Sequence, residues 1–378
     1  MTATAAAPAV TWSEDALRLN AVCPYYTMFP LDFPLQQLAA YPSASRVLDP
    51  FCGRGTTLYA ARLAGLPSVG IDINPVAAAI AQAKLVSVTA GAVVRLAKRI
   101  LEDGLGGEAP QGEFWLWCYE KETLRQISTL REKLLELETP TAAMLRAIML
   151  GILHGPQNKG LPSYLSNQMP RTYASKPAYA VKFWKKRDMT PVHVPVLDVI
   201  ERRARRLLKA TPLPRGGKVY LGDSVQTLNK LRQRFDLVVT SPPYYGMRTY
   251  VADQWLRSWF LGGPPEVPYG THGQIARQPS QDAFIKALAD VWAAAAHSCH
   301  PKARLAIRFG ALPSARTDPE QMLVASLNEA KAGWVVKDVS QAGTPAKRAR
   351  QAEQFGKAGS AIGEIDLVAE LLDCPTGR

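Results

Sequence analysis

The residues with the clearest chemical content are Ser241, Pro242, Pro243 and Tyr244, which closely follow the apolar run 235–239. That run predicts a buried strand, so the tetrapeptide stands at the strand's carboxyl end, where open α/β sheets bind their ligands. Two consecutive prolines fix two φ angles and remove two N–H donors, which places the Pro242 carbonyl rigidly as an acceptor. The Ser241 hydroxyl is a second acceptor, and Tyr244 offers an aromatic face. This arrangement suits a planar amine such as the exocyclic amino group of a nucleobase. A strand that merely ends at two prolines in a loop is the alternative interpretation.

A second set of chemistry-bearing residues lies in the segment 46–74, which reads as a strand, a glycine-containing turn, a helix, a turn and a second strand. This order predicts one βαβ unit. Gly53 and Gly55 allow the backbone to turn sharply and to approach a ligand without a Cβ in the way. Asp72, near the tip of the second strand, is placed to accept hydrogen bonds from ribose hydroxyls. The segment has neither the G-x-G-x-x-G spacing nor the Gly-Lys-Ser/Thr of a phosphate loop, so it favours a nucleoside without phosphates.

These two segments resemble the signature motifs of one enzyme family. Residues 49–57, Asp-Pro-Phe-Cys-Gly-Arg-Gly-Thr-Thr, resemble motif I of the amino-group DNA methyltransferases, whose usual form is Asp-Pro-Phe-x-Gly-Ser-Gly-Thr-Thr. Residues 241–244 resemble their motif IV; the form with Ser first is typical of cytosine-N4 enzymes, and the form with Asp first is typical of adenine-N6 enzymes. Arg54 stands where the family frequently has Ser, which adds a cation to the turn. The resemblance covers roughly residues 22–85 and 218–372.

The resemblance implies that S-adenosylmethionine is the cofactor. The loop 23–30 resembles motif X of the family, which closes over the methionine end of the cofactor, and an ordinary hydrophobic loop is the alternative interpretation. Asp223 ends the predicted strand 218–223 and suits the amino group of the cofactor's adenine. The predicted cofactor-binding residues are Thr27, Asp49, Pro50, Phe51, Gly53, Gly55, Thr56, Thr57, Asp72, Ile73, Asn74 and Asp223. The predicted catalytic residues are Ser241, Pro242, Pro243 and Tyr244.

The implied fold class is α/β: a Rossmann-like class I methyltransferase with a mixed, mostly parallel seven-stranded sheet, plus an inserted subdomain made mainly of helices and loops. The apolar runs 334–339 and 364–369 predict the closing antiparallel hairpin of such a sheet. We divide the chain into a disordered tail at 1–12, a methyltransferase catalytic domain at 13–90 and 216–378, and an inserted helical and basic DNA-recognition subdomain at 91–215. The insertion separates motif I from motif IV, as in one class of the family, although it also precedes 222–224, which resemble motif III.

Within the insertion, the Gly and Pro residues scattered through 155–194 predict loops, and 195–210 predicts a helix with Pro195 in its first turn. Aromatic residues alternate with Lys and Arg in the loop segment. This mixture fits contact with nucleic acid through phosphate pairing and base stacking. A solvated loop with ordinary aromatic anchors is the alternative interpretation.

The charge of the chain favours a polyanionic partner. The 45 Lys and Arg exceed the 32 Asp and Glu, which gives a formal net charge of +13. The segment 171–218 holds thirteen Lys and Arg against three acids, a local charge of +10 between the two chemical motifs. We therefore predict double-stranded DNA as the partner, with phosphate contacts from Arg171, Lys182, Lys185, Lys186, Arg187, Arg202 and Arg206.

Other compositional features argue against several classes of protein. The five cysteines are scattered and form no C-x-x-C pair, which argues against a disulfide framework and against a structural zinc site. The first residues lack the positive start and continuous apolar core of a secretory signal, and no apolar run reaches transmembrane length. We predict a cytoplasmic protein that uses neither a metal nor a membrane.

The predicted reaction is transfer of a methyl group from S-adenosylmethionine to the exocyclic N4 amine of a cytosine flipped out of duplex DNA. The amine would donate hydrogen bonds to Ser241 Oγ and to the Pro242 carbonyl. These bonds would localise its lone pair on nitrogen and stabilise the positive charge that develops there. Three alternatives stay open: adenine-N6 methylation of DNA, methylation of an RNA amino group, and a non-enzymatic DNA-binding protein with a relic cofactor fold. The sequence also leaves open whether a cognate restriction endonuclease accompanies the enzyme.

Overall fold

One seven-stranded sheet organises the protein, as seen in a computed structural model that describes residues 14–25, 29–104, 107–157, 160–169, 175–209, 216–246, 252–267, 275, 278–311, 317–342 and 363–372. The strands in these ranges are β1 (Val47–Asp49), β2 (Ser68–Asp72), β3 (Lys218–Leu221), β4 (Phe235–Thr240), β5 (Cys299–Phe309), β6 (Trp334–Gln341) and β7 (Ile365–Leu371). Their spatial order is β3-β2-β1-β4-β5-β7-β6. Strands β1 to β5 pair in parallel, and β7 runs antiparallel between β5 and β6. The predicted α/β class with a mixed, mostly parallel seven-stranded sheet and a closing hairpin is confirmed.

Fourteen α-helices lie in the described ranges. They are α1 (Glu14–Arg18), α2 (Asp32–Ala40), α3 (Thr56–Leu63), α4 (Pro75–Leu85), α5 (Ala90–Glu102), α6 (Glu113–Cys118), α7 (Lys121–Glu136), α8 (Pro140–Ile152), α9 (Pro177–Lys185), α10 (Val196–Leu207), α11 (Ser224–Leu228), α12 (Trp255–Phe260), α13 (Gln281–His297) and α14 (Pro319–Ala330). Several begin as the sequence dictates, with a capping side chain followed by proline: Asn74 accepts from the Val76 N–H, and Pro75 opens α4.

The central strands are buried on both faces because helices cover both sides of the sheet. Alternate residues of each strand point to opposite faces. Val47 and Leu237 pack with residues of α2 and α3 on one face. Leu48 and Val238 pack with residues of α13 and α14 on the other. Burial on both faces explains why these strands read as continuous apolar runs.

The sheet has its switch point between β1 and β4. From β1 the chain proceeds outward to β2 and β3, then returns to place β4 on the other side of β1. Ligands of open α/β sheets bind at the carboxyl ends of the strands where the order reverses. The glycine turn after β1 and the Ser-Pro-Pro-Tyr segment after β4 therefore flank the same crevice.

Helices α5 to α10 follow α4 in the long segment between β2 and β3. Their buried residues, such as Ile127, Ile148 and Ile200, belong to one hydrophobic cluster with Val76 and Ile80 of α4. Packing of the insertion thus continues directly into α4, the helix that follows β2. The domain boundaries at 12, 90 and 215 stay predictions.

Two local predictions were wrong. Residues 155–194 were expected to form loops, but α9 occupies the part from Pro177 to Lys185. Proline is tolerated at the first helical position, and Ala180, Val181 and Trp184 bury one face at helical spacing. The sequence also predicts a helix over 225–234, but the structure has only α11, Ser224–Leu228, because the polar residues that follow have no apolar stripe to bury.

The expected tail at 1–12 lies outside the described residues. Within the part of the chain that the structure describes, none of the helices combines the length and the apolar character needed to cross a bilayer.

Candidate active site

Motif I and motif IV are joined by hydrogen bonds between β1 and β4. The Thr240 hydroxyl donates to Asp49 Oδ1 at 2.6 Å, and Thr240 directly precedes Ser241. The Thr57 hydroxyl, one residue into α3, donates to the Val239 carbonyl at 3.2 Å. Asp49 is thus the residue that holds the glycine turn against the base of the Ser-Pro-Pro-Tyr segment. Thr240 stands beside the motif in the sequence but is not among the predicted site residues.

The Asp49 carboxylate is wholly buried and only partly satisfied. Its Oδ1 also accepts the Phe51 N–H at 3.1 Å, whereas Oδ2 has no hydrogen-bond partner among the described residues. Burial raises the pKa of Asp49 to about 6, against the opposing effect of the hydrogen bonds from Thr240 and Phe51. An unpartnered buried oxygen at this edge of the sheet is an acceptor available to a ligand.

Two glycines shape the turn that follows β1. Gly53 and Gly55 have φ angles of +50° and +75°, which side chains with a Cβ rarely adopt. A Cβ at Gly55 would lie 2.7 Å from Ala81 Cβ of α4, so the turn also needs glycine for close packing. Thr56 and Thr57 then start α3 as buried residues. The two glycines therefore allow the chain to turn tightly beside α4 before α3 begins.

Asp72 at the end of β2 reaches this turn. Its Oδ2 accepts the Gly53 N–H and its Oδ1 accepts the Asn74 N–H, both at 2.8 Å. Burial raises the pKa of Asp72 to about 6, although these two N–H groups lower it. A carboxylate oxygen accepts more than one hydrogen bond, so both oxygens can still receive hydroxyl donors. The neighbouring Ile73 is 44% exposed, which leaves an apolar surface beside the carboxylate.

The third strand end is tied to the first two. The Gly222 N–H donates to the Asp72 carbonyl at 2.9 Å, and the Ser224 hydroxyl donates to the Pro50 carbonyl at 2.5 Å. Asp223 caps α11 by accepting the Gln226 N–H at 2.9 Å. The half-buried Phe51 packs edge-on against Trp292, with ring centroids 6.0 Å apart. The structure therefore gathers the predicted residues of the three strand ends along one edge.

A hydrogen bond joins the N-terminal loop to this edge. The Asn74 side-chain amide donates to the Tyr25 hydroxyl at 3.1 Å. Thr27, the cofactor contact predicted in this loop, lies outside the described residues. Tyr25 was not among the predicted residues, and its place in an aromatic, proline-containing loop was the only signal for it.

The Ser-Pro-Pro-Tyr segment follows β4 at the rim of the crevice. Ser241, Pro243 and Tyr244 are half-buried, and Pro242 is buried. The Tyr244 hydroxyl donates to Glu364 Oε1 at 2.6 Å. Because its hydroxyl is engaged by Glu364, the ring of Tyr244 rather than its oxygen is available for contact with a ligand.

The Tyr244 ring itself is positioned by β5 and by the segment before β7. It packs edge-on against Phe309, with ring centroids 5.6 Å apart, and a Cβ at Gly310 would lie 3.1 Å from its Cζ. Glu364 was missed by the sequence analysis, since it lies 120 residues from Tyr244 along the chain. Its only signal was the strand pattern that brings β7 beside β5.

The predicted nucleic-acid contacts on α9 are mostly exposed. Lys182 and Lys186 are exposed, and the exposed Lys185 forms an ion pair with Glu113. The Arg187 guanidinium lies 4.0 Å from the centroid of the Phe183 ring, a cation–π contact. Arg171 lies outside the described residues.

The arginines of α10 are used largely inside the protein. Arg202 donates to the Pro162 carbonyl at 2.6 Å, and Arg203 donates to the Gly151 carbonyl at 3.0 Å. Arg205 pairs with Glu201 at 2.6 Å. Arg206 is exposed. The phosphate contacts predicted for α9 and α10 stay predictions, and among them Arg202 is the residue whose guanidinium is already engaged.

An aromatic cluster links the insertion to the chain beyond motif IV. Trp255 of α12 packs against Phe114 and Trp115 of α6, with ring centroids 4.8 Å and 5.8 Å apart. Its indole N–H donates to the Ser175 carbonyl at 3.3 Å, just before α9 begins. The start of the basic helix α9 is therefore fixed to the first α-helix after the Ser-Pro-Pro-Tyr segment.

Residues 28–83 match the family model described as "DNA methylase", the N6/N4 class. No curated protein matches the chain. Among solved structures, the chain is similar to the rRNA methyltransferase aviRa from Streptomyces viridochromogenes, at 14% identity over 98% of this chain and 97% of that chain, with a TM-score of 0.35. It is also similar to TrmN from Thermus thermophilus, at 10% identity over 94% of this chain and 52% of that chain, with a TM-score of 0.37.

A third similar structure is the putative RNA methyltransferase PH1948 from Pyrococcus horikoshii, at 9% identity over 95% of this chain and 96% of that chain, with a TM-score of 0.32. Structural likeness at this distance has no bearing on the substrate. The match over residues 28–83 covers the glycine turn and Asp72, and the strand order is that of the predicted methyltransferase fold. In this segment, residues 28–83, the chain is similar to the N6/N4 DNA methylases.

Proposed function

We propose that the protein transfers a methyl group from S-adenosylmethionine to the N4 amine of a cytosine extruded from double-stranded DNA. The observation that carries this proposal is the Asp49–Thr240 hydrogen bond of 2.6 Å, which joins the start of the glycine turn to the residue before Ser241. A cofactor bound at the glycine turn and an amine bound at Ser241 would therefore lie next to each other. Holding two reactants in a productive orientation supplies a large part of the rate enhancement in a two-substrate transfer.

The edge formed by β1, β2 and β3 has the groups that S-adenosylmethionine requires. Asp72 is an acceptor for the ribose hydroxyls, Ile73 offers an apolar surface for the adenine, and Asp223 lies at the adjoining strand end. The unpartnered Asp49 Oδ2 is a suitable acceptor for the ammonium group of the methionine portion. When bound, the cofactor supplies an electrophilic methyl group on a sulfonium.

Ser241 and Pro242 would act on the incoming amine. The nitrogen lone pair of cytosine N4 is delocalised into the ring, so the amine is a weak nucleophile. Hydrogen bonds from the amine to Ser241 Oγ and the Pro242 carbonyl favour tetrahedral nitrogen and stabilise its developing positive charge. The ring face of Tyr244 would stack on the extruded base. No covalent enzyme intermediate is required, and the chain has no Pro-Cys dipeptide, the feature expected of cytosine-5 enzymes.

We expect the affinity for the cofactor to depend on pH near 6, because ribose hydroxyls donate to the ionised form of Asp72. Its raised pKa of about 6 means that the folded protein takes up this proton as pH falls through 6. The dissociation constant of S-adenosylhomocysteine should be constant from about pH 8 to 7 and rise by up to about tenfold per pH unit below 6. Calorimetry at several pH values measures this profile.

Asp72→Asn is the control for the pH profile, since it removes one of two titrating carboxyls and should make the curve shallower, with the remaining dependence expected from Asp49, whose pKa is also raised to about 6. Protonation of Asp72 at low pH does not destabilise the fold, so unfolding through this residue does not explain weaker binding there. The folded protein binds the Asp72 proton more tightly than the unfolded chain does, because folding raises the pKa of this carboxyl. The contribution of Asp72 to the free energy of unfolding therefore increases as pH falls from 7 to about 5. A wild-type dissociation constant that stays flat from pH 7 to 5 would contradict this role.

The basic end of α9 is the proposed phosphate-binding surface, because its start is fixed to α12 beyond the catalytic segment. Changing Lys185, Lys186 and Arg187 together to glutamine should weaken binding to all DNA sequences alike. The slope of log affinity against log salt should also become shallower, by up to about 0.9 for each phosphate that the variant no longer neutralises. Since Lys185 already pairs with Glu113, we expect Lys186 and Arg187 to account for most of the change.

The matched control changes three exposed lysines on the far half of the sheet, Lys286, Lys331 and Lys337, to glutamine. This control removes the same net charge without touching α9. An equal decrease of the slope in both triple variants would mean that net charge, rather than this surface, attracts DNA. A changed site preference at an unchanged salt slope would make the α9 residues base readers instead.

The polymer is identified by methyl transfer from S-adenosylmethionine labelled in its methyl group. Purified protein is incubated separately with duplex DNA, with single-stranded DNA, and with bulk tRNA and rRNA. We expect label in DNA and none in RNA. Label in RNA alone would overturn the DNA substrate while leaving the amine chemistry in place. Cofactor binding without transfer to any of these polymers would indicate a relic cofactor fold.

A further inference from the structure

A cluster of cations surrounds the segment Val22 to Pro24, beside the glycine turn. The Arg257 guanidinium donates to the Pro24 carbonyl at 2.8 Å. A Cβ at Gly151 would lie 2.6 Å from the Val22 carbonyl oxygen and 3.6 Å from Arg203 Nη2, so the Arg203 head group lies against the same segment. Lys84, fully buried, donates to Asn20 Oδ1 at 2.8 Å. We call Arg54, Lys84, Arg203 and Arg257 the cation cluster.

Electrostatics place Arg54 in the same cluster. Burial raises the pKa of the Cys23 thiol, and the positive charges of all four members of the cation cluster oppose that rise. Burial lowers the pKa of Lys84 well below its usual range, and the charge of Arg54 lowers it further. Four positive charges therefore converge on one buried thiol, which is itself a poor counter-charge.

Arg54 is the member of this cluster without a partner. Its side chain is only 6% exposed, and its guanidinium forms no hydrogen bond or ion pair with any described residue. The Nε–H is enclosed and unpaired. Burial lowers the pKa of Arg54 to about 10. A buried guanidinium without a partner is costly to the folded protein, so a bound anion would stabilise it.

The chain offers almost no carboxylate to fill this role. In the described ranges, Arg54, Lys84 and Arg203 form no ion pair with Asp or Glu. The segments outside those ranges contain only two acidic residues, Glu353 and Asp373. An anion that pairs with Arg54 would therefore come chiefly from a ligand.

A second unpartnered side chain lies in the same region. Both ring nitrogens of the buried His154 lack hydrogen-bond partners among the described residues. Burial lowers the pKa of His154 well below its usual range, and the charge of Arg257 adds to this effect. A neutral imidazole can donate one hydrogen bond. The region thus presents unused donors from two separate parts of the chain.

The position of Arg54 in the turn identifies the anion. Arg54 stands between Gly53 and Gly55, and the Gly53 N–H is bound by Asp72, the proposed ribose acceptor. S-adenosylmethionine has one anionic group, the carboxylate of its methionine portion. The same turn begins at Asp49, whose free oxygen complements the ammonium group of that portion. On this one turn, the Asp49 carboxylate complements the ammonium group of an α-amino acid, and the buried Arg54 guanidinium complements its carboxylate.

We propose that Arg54 binds the methionine carboxylate of S-adenosylmethionine, with Arg203 and Arg257 supplying the positive field behind it. The inference rests on the proposed function and adds a residue that sets cofactor specificity. Guanidinium and carboxylate form paired, charge-assisted hydrogen bonds, which are stronger than those between neutral groups. The cofactor should therefore be recognised by its carboxylate as well as by its nucleoside.

The test compares two ligands that differ by this one group: S-adenosylmethionine and decarboxylated S-adenosylmethionine. In the wild type, calorimetry should show about 10–100-fold weaker binding of the decarboxylated ligand, as expected for one charge-assisted contact. Arg54→Gln should weaken S-adenosylmethionine by a similar factor and leave the decarboxylated ligand unchanged. Arg54→Lys, which keeps the charge, should recover part of the affinity and serves if Arg54→Gln fails to fold. Arg146→Gln, a partly buried arginine of α8 that bonds the Leu137 carbonyl, is the control and should change neither affinity.

Three outcomes would overturn the inference. Equal weakening of both ligands by Arg54→Gln would assign Arg54 a structural role. Unchanged cofactor affinity with weakened DNA or RNA binding would assign the cluster to a nucleic-acid phosphate. Equal affinity of the wild type for both ligands would show that the carboxylate is not recognised. A wild type that binds neither ligand would instead defeat the proposed function, because the nucleoside contacts would then be absent as well.

Discussion

Replacing Ser241 with alanine is expected to lower the rate of methyl transfer by about 10²–10³-fold, as found when one transition-state hydrogen-bonding group is removed. The affinities for S-adenosylmethionine and for duplex DNA should be unchanged. The missing hydrogen bond matters chiefly as positive charge develops on the amine, so the effect belongs to the transition state rather than to binding. Single-turnover transfer rates, measured beside calorimetric affinities, separate these two quantities.

Ser298→Ala provides the matched control for this experiment. Ser298 is a buried serine at the end of α13, where its hydroxyl bonds the Ala294 carbonyl, and its replacement should not alter transfer. An unchanged single-turnover rate in folded Ser241→Ala would remove Ser241 from the reaction. A lowered cofactor affinity with an unchanged rate would make Ser241 a binding residue instead.

Replacing Asp72 with alanine should weaken cofactor binding by about 1.5–3 kcal/mol, the range for hydrogen bonds to a charged group, which is roughly a 10–150-fold decrease in affinity. Asp72 also accepts the Gly53 N–H, so alanine loosens the turn as well as removing the ribose acceptor. Asp72→Asn keeps the shape and one acceptor oxygen and should fall between the wild type and Asp72→Ala. Calorimetry with S-adenosylhomocysteine measures all three, with thermal unfolding as the check on folding. Equal affinity in all three folded proteins would exclude Asp72 from the cofactor site.

The parts of the site that the sequence predicted are those set by neighbouring residues. Gly53 and Gly55 were predicted to form a sharp turn, and their positive φ angles have a local steric cause. The strand ends at Asp72 and Ser241 followed from short apolar runs bounded by turn residues. Because parallel strands end on one edge of a sheet, the meeting of these ends followed from the fold class.

Contacts between distant parts of the chain could not be predicted in this way. Thr240 bonds Asp49 across 191 residues, and Tyr244 bonds Glu364 across 120. Side chains with ordinary composition make these bonds, and only the packed sheet brings them together. The isolation of Arg54 is likewise a property of its packed surroundings, since the sequence shows only that a cation stands in the turn.

The basic insertion shows how charge counted along a sequence overstates the charge available to a partner. Arg202 and Arg203 of α10 donate to backbone carbonyls, and Arg205 pairs with Glu201. These guanidinium groups satisfy carbonyl oxygens and a carboxylate of the protein itself. A sequence does not distinguish such an arginine from one that binds phosphate, because both stand on similar amphipathic helices. The remaining exposed cations of α9 are therefore the better candidates for nucleic-acid contact.

The central claim, transfer to the N4 amine of cytosine in DNA, is tested most directly by the modified base. Duplex DNA methylated by the purified protein is digested to nucleosides and separated by mass spectrometry. We expect N4-methylcytosine, and we expect it to be lost with Ser241→Ala. N6-methyladenine would overturn the choice of base and leave the fold and amine chemistry standing. DNA without any methylated base, from a reaction in which RNA does acquire the methyl group, would contradict the claim.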